Sequence, residues 1–484
     1  MKILFSGNKF KYEAEATVKL FIPGQRFEFI YDCVNAEGDI ICVRRKECKK
    51  HTWLFAFCRI GKKTARHTVK IFTDETNYDA VCEHELCRCV YFCLMKLTGI
   101  NPVWGLLTGI RPVKKMTELL EMGFTEKQAK NMLKQKYMVS DKRLDLAYDT
   151  AVTQLPLLDK ITSKSVSLYI SIPFCPTRCS YCSFVSHSMD SARKLIPDYV
   201  RYLCRELEII SKIVKDLSLS IDTIYFGGGT PTSIEASQLK IITDTLSRCF
   251  NISDVREYNV EAGRADTITR EKLEVIKAAG ATRISVNPQT LNDSVLKTIG
   301  RNHTAKQTVD AFYLARRLGF NNINMDLISG LPTDTSESFK ATLDKVIEMN
   351  PESITVHTLT IKRSAGLYEN AEKYITSPAA EMTDYSIDVL PENGYRPYYL
   401  YRQKNTVDNL ENIGFSKPGC ESLYNIFIMD ETQTILGAGC AASTKLVEAS
   451  GKITRIHNYK FPYEYINRFD ELMKKKSEIY SKLI

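Results

Sequence analysis

Between about residues 166 and 358 the sequence keeps repeating one unit, an apolar run followed by a stretch with helical spacing. The runs are VSLYISI, DTIYFGG, EYNVEAG, TRISVNP, NINMDLISG and SITVHTL, with helical patterns around Tyr199 to Lys215, to Cys249 and to Ala279. Strands separated by helices must lie parallel, because a crossover helix returns the chain to the same end of the sheet. The pattern therefore predicts an α/β domain whose parallel sheet is open or curled into a barrel. In such barrels functional groups gather at the C-terminal ends of the strands.

The first of those strand ends runs into YISIPFCPTRCSYCSF, where Cys175, Cys179 and Cys182 form a Cys-x3-Cys-x2-Cys loop. Three thiolates this close suit a soft metal centre. An iron–sulfur cube needs four ligands, so three cysteines leave one iron open for a small molecule. Structural zinc would want a fourth Cys or His nearby with pairwise spacing, and His187 is the next candidate. A disulfide framework fits less well: no signal peptide precedes MKILFSG, and an odd 15 cysteines would leave one unpaired. The expected compartment is reducing and cytoplasmic.

At 484 residues the chain is long enough for two or three domains. No apolar run reaches the roughly 18 residues of a membrane span. The formal charge of +9 comes from 66 basic residues against 57 acidic ones, a mild excess that a polyanionic small substrate explains as well as nucleic acid does. The densest basic stretches, VRRKECKK and MKKKSEIYSK, contain no interleaved aromatic rows and read as solvated faces, so neither a nucleic-acid partner nor a membrane span is expected.

Residues 1–98 read as a β-rich region ending in a helix, with strand-like runs ATVKLFIP, RFEFIYDCV, DIICVRR, TWLFAFCRI and HTVKIFT before a helical pattern from Tyr78 to Leu97. Cys82, Cys89 and Cys93 fall on one stripe of that helix, with Cys87 beside them. That spacing favours buried thiols over a second cluster. Residues 99–164 read as a helical connector, 165–400 as the barrel and 401–484 as a C-terminal α+β extension covering the active site.

Further chemistry-bearing positions follow later strands: FGGGTPTS with Gly227, Gly228, Gly229 and Thr230, Glu261 in NVEAG, Gln289 in SVNPQT, Arg301 in IGRNH, and Asp326 in NMDLISG. Glycines let the backbone approach a ligand and present amide hydrogens to it. Read singly, the glycines are a tight turn and the carboxylate a solvated one. His303, His357 and His457 each read as satisfied polar groups without assigned chemistry.

Taken together, the triplet and these positions resemble the radical S-adenosylmethionine (SAM) superfamily, in its oxygen-independent coproporphyrinogen III oxidase-like family. LTGIRPVKK, EAGRADTIT, VHTLTIKR, YYLYRQKN and GAGCAASTK are most similar to the HemZ-type coproporphyrinogen dehydrogenases. The resemblance covers roughly residues 100 to 460 and implies a partial (β/α)6 barrel. It implies a 4Fe–4S cluster on Cys175, Cys179 and Cys182, and one or two SAM molecules held by Tyr169, Tyr181, Gly228, Gly229, Thr230, Glu261, Gln289, Arg301 and Asp326, with Thr360 and Ser443 as further contacts. Thr230 stands where the superfamily usually has Glu.

The activity implied is oxidative decarboxylation of coproporphyrinogen III propionates to vinyl groups, giving protoporphyrinogen IX in anaerobic haem biosynthesis. Reductive cleavage of SAM to methionine and a 5′-deoxyadenosyl radical would start it. A tetrapyrrole substrate and an electron donor such as a flavodoxin or ferredoxin are the implied partners. Arg402 and Lys404, with Arg301, are candidates for its carboxylates.

Two departures keep other readings open. Phe184 stands where the enzymes of the family carry a further cysteine, as it does in haem chaperones of the same family, yet their HNxxYW signature is absent. Ser171 stands where many relatives have His. A radical SAM enzyme acting on intact haem, and a binding module without catalysis, remain alternatives.

Overall fold

The computed structural model describes residues 1–31, 37–73, 76–109, 111–184, 186–362, 365–367, 378–403, 406–448 and 450–483. Two compact units emerge: one of residues 1–112 and 118–148, the other of 113–117 and 149–484.

The smaller unit holds strands β1 (Lys2–Ser6), β2 (Glu28–Tyr31), β3 (Ile40–Glu47), β4 (His51–Ile60) and β5 (Lys63–Phe72), with helices α1 (Lys11–Lys19) and α2 (Tyr78–Thr98). Its sheet has the order β2-β1-β3-β4-β5. Ile41, Val43, Leu54, Ala56 and Cys58 share one core with Ala14 and Val18 of α1 and with Cys82, Cys89 and Cys93 of α2. The cysteine stripe is thus core. ATVKLFIP departs from its strand reading, because Ala14, Thr17, Val18 and Phe21 recur at helical spacing and are buried, and the period overrides the strand preference of Thr and Val.

Helices α3 (Pro112–Glu121), α4 (Glu126–Tyr137) and α5 (Asp141–Leu158) follow. Pro112 opens α3, and a reciprocal capping box of Thr125 and Gln128 opens α4.

The larger unit is built on one sheet. Its chain order is β6 (Ser165–Ile172), the short pair β7 (Phe174–Cys175) and β8 (His187–Ser188), α6 (Met189–Ala192), α7 (Ile196–Asp216), β9 (Ser220–Gly228), α8 (Ala236–Cys249) and β10 (Glu257–Gly263). Then come α9 (Arg270–Ala278), β11 (Arg283–Val286), α10 (Asp293–Thr298), α11 (Ala305–Arg317), β12 (Ile323–Ser329), α12 (Ser336–Met349), β13 (Ser353–Thr358) and α13 (Ala379–Glu392). The chain closes with β14 (Arg396–Arg402), β15 (Glu411–Ser416), α14 (Leu423–Asp430), β16 (Thr434–Ala438), β17 (Ser443–Val447), β18 (Ile453–His457), α15 (Pro462–Asn467), α16 (Phe469–Lys476) and α17 (Glu478–Leu483).

Strands β6, β9, β10, β11, β12 and β13 pair in parallel in that order. This is the partial (β/α)6 barrel: β6 and β13 do not pair with each other. Instead β15 and β14 extend the sheet antiparallel beyond β13, and β16 joins β6 in parallel with β17 and β18 outside it. The helices carry the amphipathic stripe such a barrel needs. In α7, Ile196, Tyr199, Val200, Leu203, Leu207, Ile210 and Ile213 are buried.

The N-terminal end of the strands is stoppered by α14. Glu257, the first residue of β10, accepts from the Leu423 and Tyr424 amides and from Ser422 Oγ at 2.8–3.3 Å. Arg283, the first residue of β11, donates to the Cys420 carbonyl at 2.9 Å. So anchored, Tyr424 stacks on Tyr225 and Tyr169, with ring centroids 4.3 and 6.1 Å away. Among the described residues, no helix is long and apolar enough to cross a membrane.

Candidate active site

Everything that brings the thiols into place happens beyond the C-terminal end of β6. The chain leaves Ile172, forms the two-residue β7, and turns so that the Cys182 amide bonds the Cys179 carbonyl at 3.1 Å. Thr177 Oγ1 donates to the Gly300 carbonyl at 3.1 Å, and the Ser180 amide to the Ile299 carbonyl at 3.1 Å. These bonds fix the loop to the end of α10.

The glycine run after β9 fits against the same loop. The Gly229 amide bonds Ile172 O and the Thr230 amide bonds Phe174 O, both at 2.8 Å. A Cβ at Gly229 would stand 2.4 Å from the Phe174 oxygen, so only glycine allows this approach. Thr230 Oγ1 lies 3.6 Å from Cys175 Sγ. Burial first, only partly offset by hydrogen bonding from Thr230, pushes the Cys175 thiol pKa up; burial does the same to Cys182.

Two guanidinium groups lie close to the loop. Arg264 Nη1 lies 3.9 Å from Cys179 Sγ and 2.9 Å from Thr177 Oγ1, and the other side of Arg264 is paired with Asp266 at 2.6 Å. Arg301 donates to the Asn287 carbonyl at 2.6 Å and to the Tyr181 hydroxyl at 3.2 Å, so two of the expected SAM contacts touch each other.

A second group lines the barrel interior. Tyr169 and Tyr225 are register partners on β6 and β9 with rings 6.1 Å apart. Tyr225 donates to Glu261 at 2.5 Å. A Cβ on Gly227 would touch Tyr225, Tyr169 and the Glu261 carboxylate at 3.0–3.3 Å, so the glycine motif and the carboxylate are neighbours. Burial, reinforced by the nearby Asp326 charge, raises the Glu261 pKa to about 7 against the Tyr225 hydrogen bond. For Asp326 burial also opposes ionisation, but His357 at 3.8 Å and Asn324 at 2.7 Å outweigh it and hold the pKa down. The same contact with Asp326 overcomes burial at His357 and raises its pKa.

Gln289 joins the two groups. Its amide bonds Asp326 O at 2.9 Å, and its backbone takes φ +67°, a left-handed conformation that costs a side-chain-bearing residue energy. Gln289 Oε1, Asn287 Oδ1 and Arg301 Nε are buried without hydrogen-bond partners in the protein, which is the condition expected of groups that bond a bound molecule.

Other expected contacts lie apart from these. Thr360 bonds Thr406 at 3.2 Å just after β13. Ser443 begins β17 with its Oγ buried and unpartnered. Arg402 is buried, with its guanidinium donating to the Asn409 carbonyl at 2.8 and 3.1 Å. Lys404 lies outside the described residues. Phe184 is 67% exposed, and the His187 ring packs on Phe461 with centroids 5.7 Å apart.

Arg264, Tyr225 and His357 were missed as site residues. A hydrophobic strand hides Tyr225 among its core positions, His357 stands out in the sequence but reads as a satisfied polar group, and the conspicuous EAGRAD string offered Arg264 a signal. Among the described residues no three His, Cys, Asp or Glu converge to grip a single metal ion. Three thiols in one loop suit a multi-iron group, since each ligand of a cube binds its own iron. Three thiols in one loop, two cations beside them and partnerless amide and guanidinium atoms next to them fit a 4Fe–4S cluster with SAM.

The radical SAM superfamily model matches residues 169–346. The oxygen-independent coproporphyrinogen-III oxidase-like protein HemZ of Bacillus subtilis is 42% identical over 405 residues, covering 81% of each chain. The heme chaperone HemW of the same organism is 33% identical over 280 residues, 56% of this chain and 69% of HemW. Among solved structures, the coproporphyrinogen III oxidase HemN of Escherichia coli, a radical SAM enzyme, shares the fold with a TM-score of 0.52 at 23% identity, over 66% of this chain and 72% of HemN. The chain thus belongs to the oxygen-independent coproporphyrinogen-III oxidase-like family of the radical SAM superfamily, whose members bind a 4Fe–4S cluster and SAM.

Proposed function

We propose that this protein oxidatively decarboxylates two propionate side chains of coproporphyrinogen III to vinyl groups, yielding protoporphyrinogen IX. The observation that carries the reading is the continuity of the cluster loop with a barrel interior lined by Tyr169, Tyr225, Glu261, Asp326 and His357. The cluster and SAM, when bound, supply removal of a hydrogen atom from an unactivated carbon. Each propionate would lose one hydrogen atom from its β-carbon, one further electron to an acceptor, and carbon dioxide.

The chain's own residues would hold and shield the reactants. Cys175, Cys179 and Cys182 would carry the cluster, with Arg264 and Arg301 offsetting the charge of three thiolates. Glu261, held by Tyr225, offers two acceptor oxygens suited to the ribose hydroxyls of SAM. Gln289, Asn287 and Arg301 contribute the unpaired polar atoms beside it. The α14 stopper and the tyrosine stack exclude water from the far end of the interior. A flavodoxin or ferredoxin would deliver the electron.

The alternative of a haem chaperone has less support. In the one His–Asn pair His457 is exposed but Asn458 is buried, its amide donating to Glu206 at 2.9 Å and to the Gly439 carbonyl at 2.7 Å, and the residues after it do not continue as HNxxYW. An anaerobic incubation of reconstituted protein with SAM, a reductant and coproporphyrinogen III separates the readings. Vinyl product with 5′-deoxyadenosine, both lost in Cys179→Ala, supports the dehydrogenase. Deoxyadenosine without vinyl product removes coproporphyrinogen III as substrate. Stoichiometric haem retention with neither product supports the chaperone.

A further inference from the structure

The smaller unit has a second face with a character of its own. Its core uses Ile41, Val43, Leu54, Ala56, Cys58, Ala65 and Ile71, so the alternate positions of β3, β4 and β5 point the other way. On β4 those are His51, Trp53, Phe55, Phe57 and Arg59. Trp53 is 41% exposed, and Phe72, at the end of β5 on the same face, 53%.

Strand register sets cations beside each ring. Trp53 lies between Lys46 of β3 and Lys70 of β5, Phe55 between Arg44 and Thr68, and Phe57 between Cys42 and Arg66. Arg44, Lys46, Arg66 and Lys70 are all exposed. No Asp or Glu occupies an outward position on these three strands. Along the chain, VRRKECKK carries no aromatic; across the sheet, the next strand supplies one at every second residue. Lys70 Nζ already sits 5.8 Å from the Trp53 ring centroid and 5.1 Å from that of Phe72.

Aromatic rings in a row with cations on both sides recognise one kind of polymer well. Unpaired bases stack on the rings regardless of sequence, while phosphates follow the flanking charges. Same-face residues on a strand repeat about every 6.6 Å and neighbouring strands lie about 4.8 Å apart, so rings and charges alternate on a scale of one nucleotide. An acidic protein would match the charges but leave the exposed rings without a role. The Thr64 and Thr68 hydroxyls on the same face can exchange hydrogen bonds with ribose 2′-hydroxyls. We propose that the β3–β5 face binds single-stranded RNA.

Fluorescence anisotropy of a labelled 12-nucleotide single-stranded RNA, titrated with the full chain, tests this. Saturable binding is expected, with affinity falling with salt at a log–log slope of about −2 to −3 for three or four phosphates. Trp53→Thr should weaken binding roughly tenfold without changing that slope, and Arg66→Thr with Lys70→Thr should flatten the slope by about one. Threonine retains strand preference, and circular dichroism melting of each variant separates lost binding from lost fold. The same RNA annealed into a duplex should bind at least tenfold more weakly. Equal duplex binding, or full affinity in a folded Trp53→Thr variant, overturns the proposal. So does absence of RNA binding while an acidic ferredoxin or a second copy of the chain occupies the face.

Discussion

Glu261 carries an unusual charge state for a carboxyl group. In the unfolded chain it ionises near 4.5, whereas in the fold its pKa is raised to about 7 by burial and by Asp326. Keeping it in the barrel costs nothing while it is protonated, below about pH 4.5, and the cost grows as pH rises through 7. Because its side chain is only half-buried, the effect is about 1–2 kcal/mol. Urea midpoints of the ligand-free protein should therefore drop more between pH 5 and pH 8 than those of Glu261→Gln; parallel curves would show that the carboxyl ionises normally. The sequence announced Glu261 by its strand-end position, yet its partner Tyr225, sitting two residues before a glycine run, looked like any strand aromatic. Which carboxylate meets which hydroxyl depends on register between β9 and β10, and register is a property of pairs of strands.

Among the elements, the turn after β9 governs the cluster loop most directly. A methyl group on Gly229 would collide with the Phe174 and Ile172 carbonyls, and both are backbone atoms that cannot swing aside. Gly229→Ala should cost about 1–3 kcal/mol and separate the turn from β7. Iron content per chain after reconstitution should fall more steeply than the melting temperature; unchanged iron would mean that this packing does not hold the cluster loop. The six parallel strands were readable because each is a short apolar run bounded by turn residues, and the helices between them keep a 3.6-residue period. Harder to read was ATVKLFIP, where Thr and Val sit in a helix because Ala14 and Val18 pack on α2. Harder still was α14, an apolar segment whose role as a stopper depends on Glu257 and Arg283, some 140–170 residues earlier.

At the scale of the whole molecule, a buried ion pair fastens the C-terminal helices to the barrel. Lys476 of α16 and Glu206 of α7 lie 2.7 Å apart with both side chains fully buried, and Glu206 also accepts from the Gly439 amide and Tyr465 at 2.6–2.7 Å. Lys476→Ala leaves a buried carboxylate without its counter-charge and should cost about 3–5 kcal/mol in guanidinium unfolding. Replacing both partners, as Glu206→Gln with Lys476→Met, should recover part of that loss; a double variant as unstable as the single one would show that packing, not charge, sets the cost. The sheet imposes an order in time as well. Strand β6, from which the cysteine loop springs, takes β16 as its outer neighbour, and residues 434–438 leave the ribosome some 260 residues after Ile172. At about 5–20 residues per second, the strand beneath the cluster loop waits roughly 13–50 seconds for its last partner. The strand beneath the cysteine loop thus stands as an open edge through the synthesis of every helix and strand between β6 and β16, with its amides and carbonyls on that side unpaired by the sheet until residues 434–438 arrive.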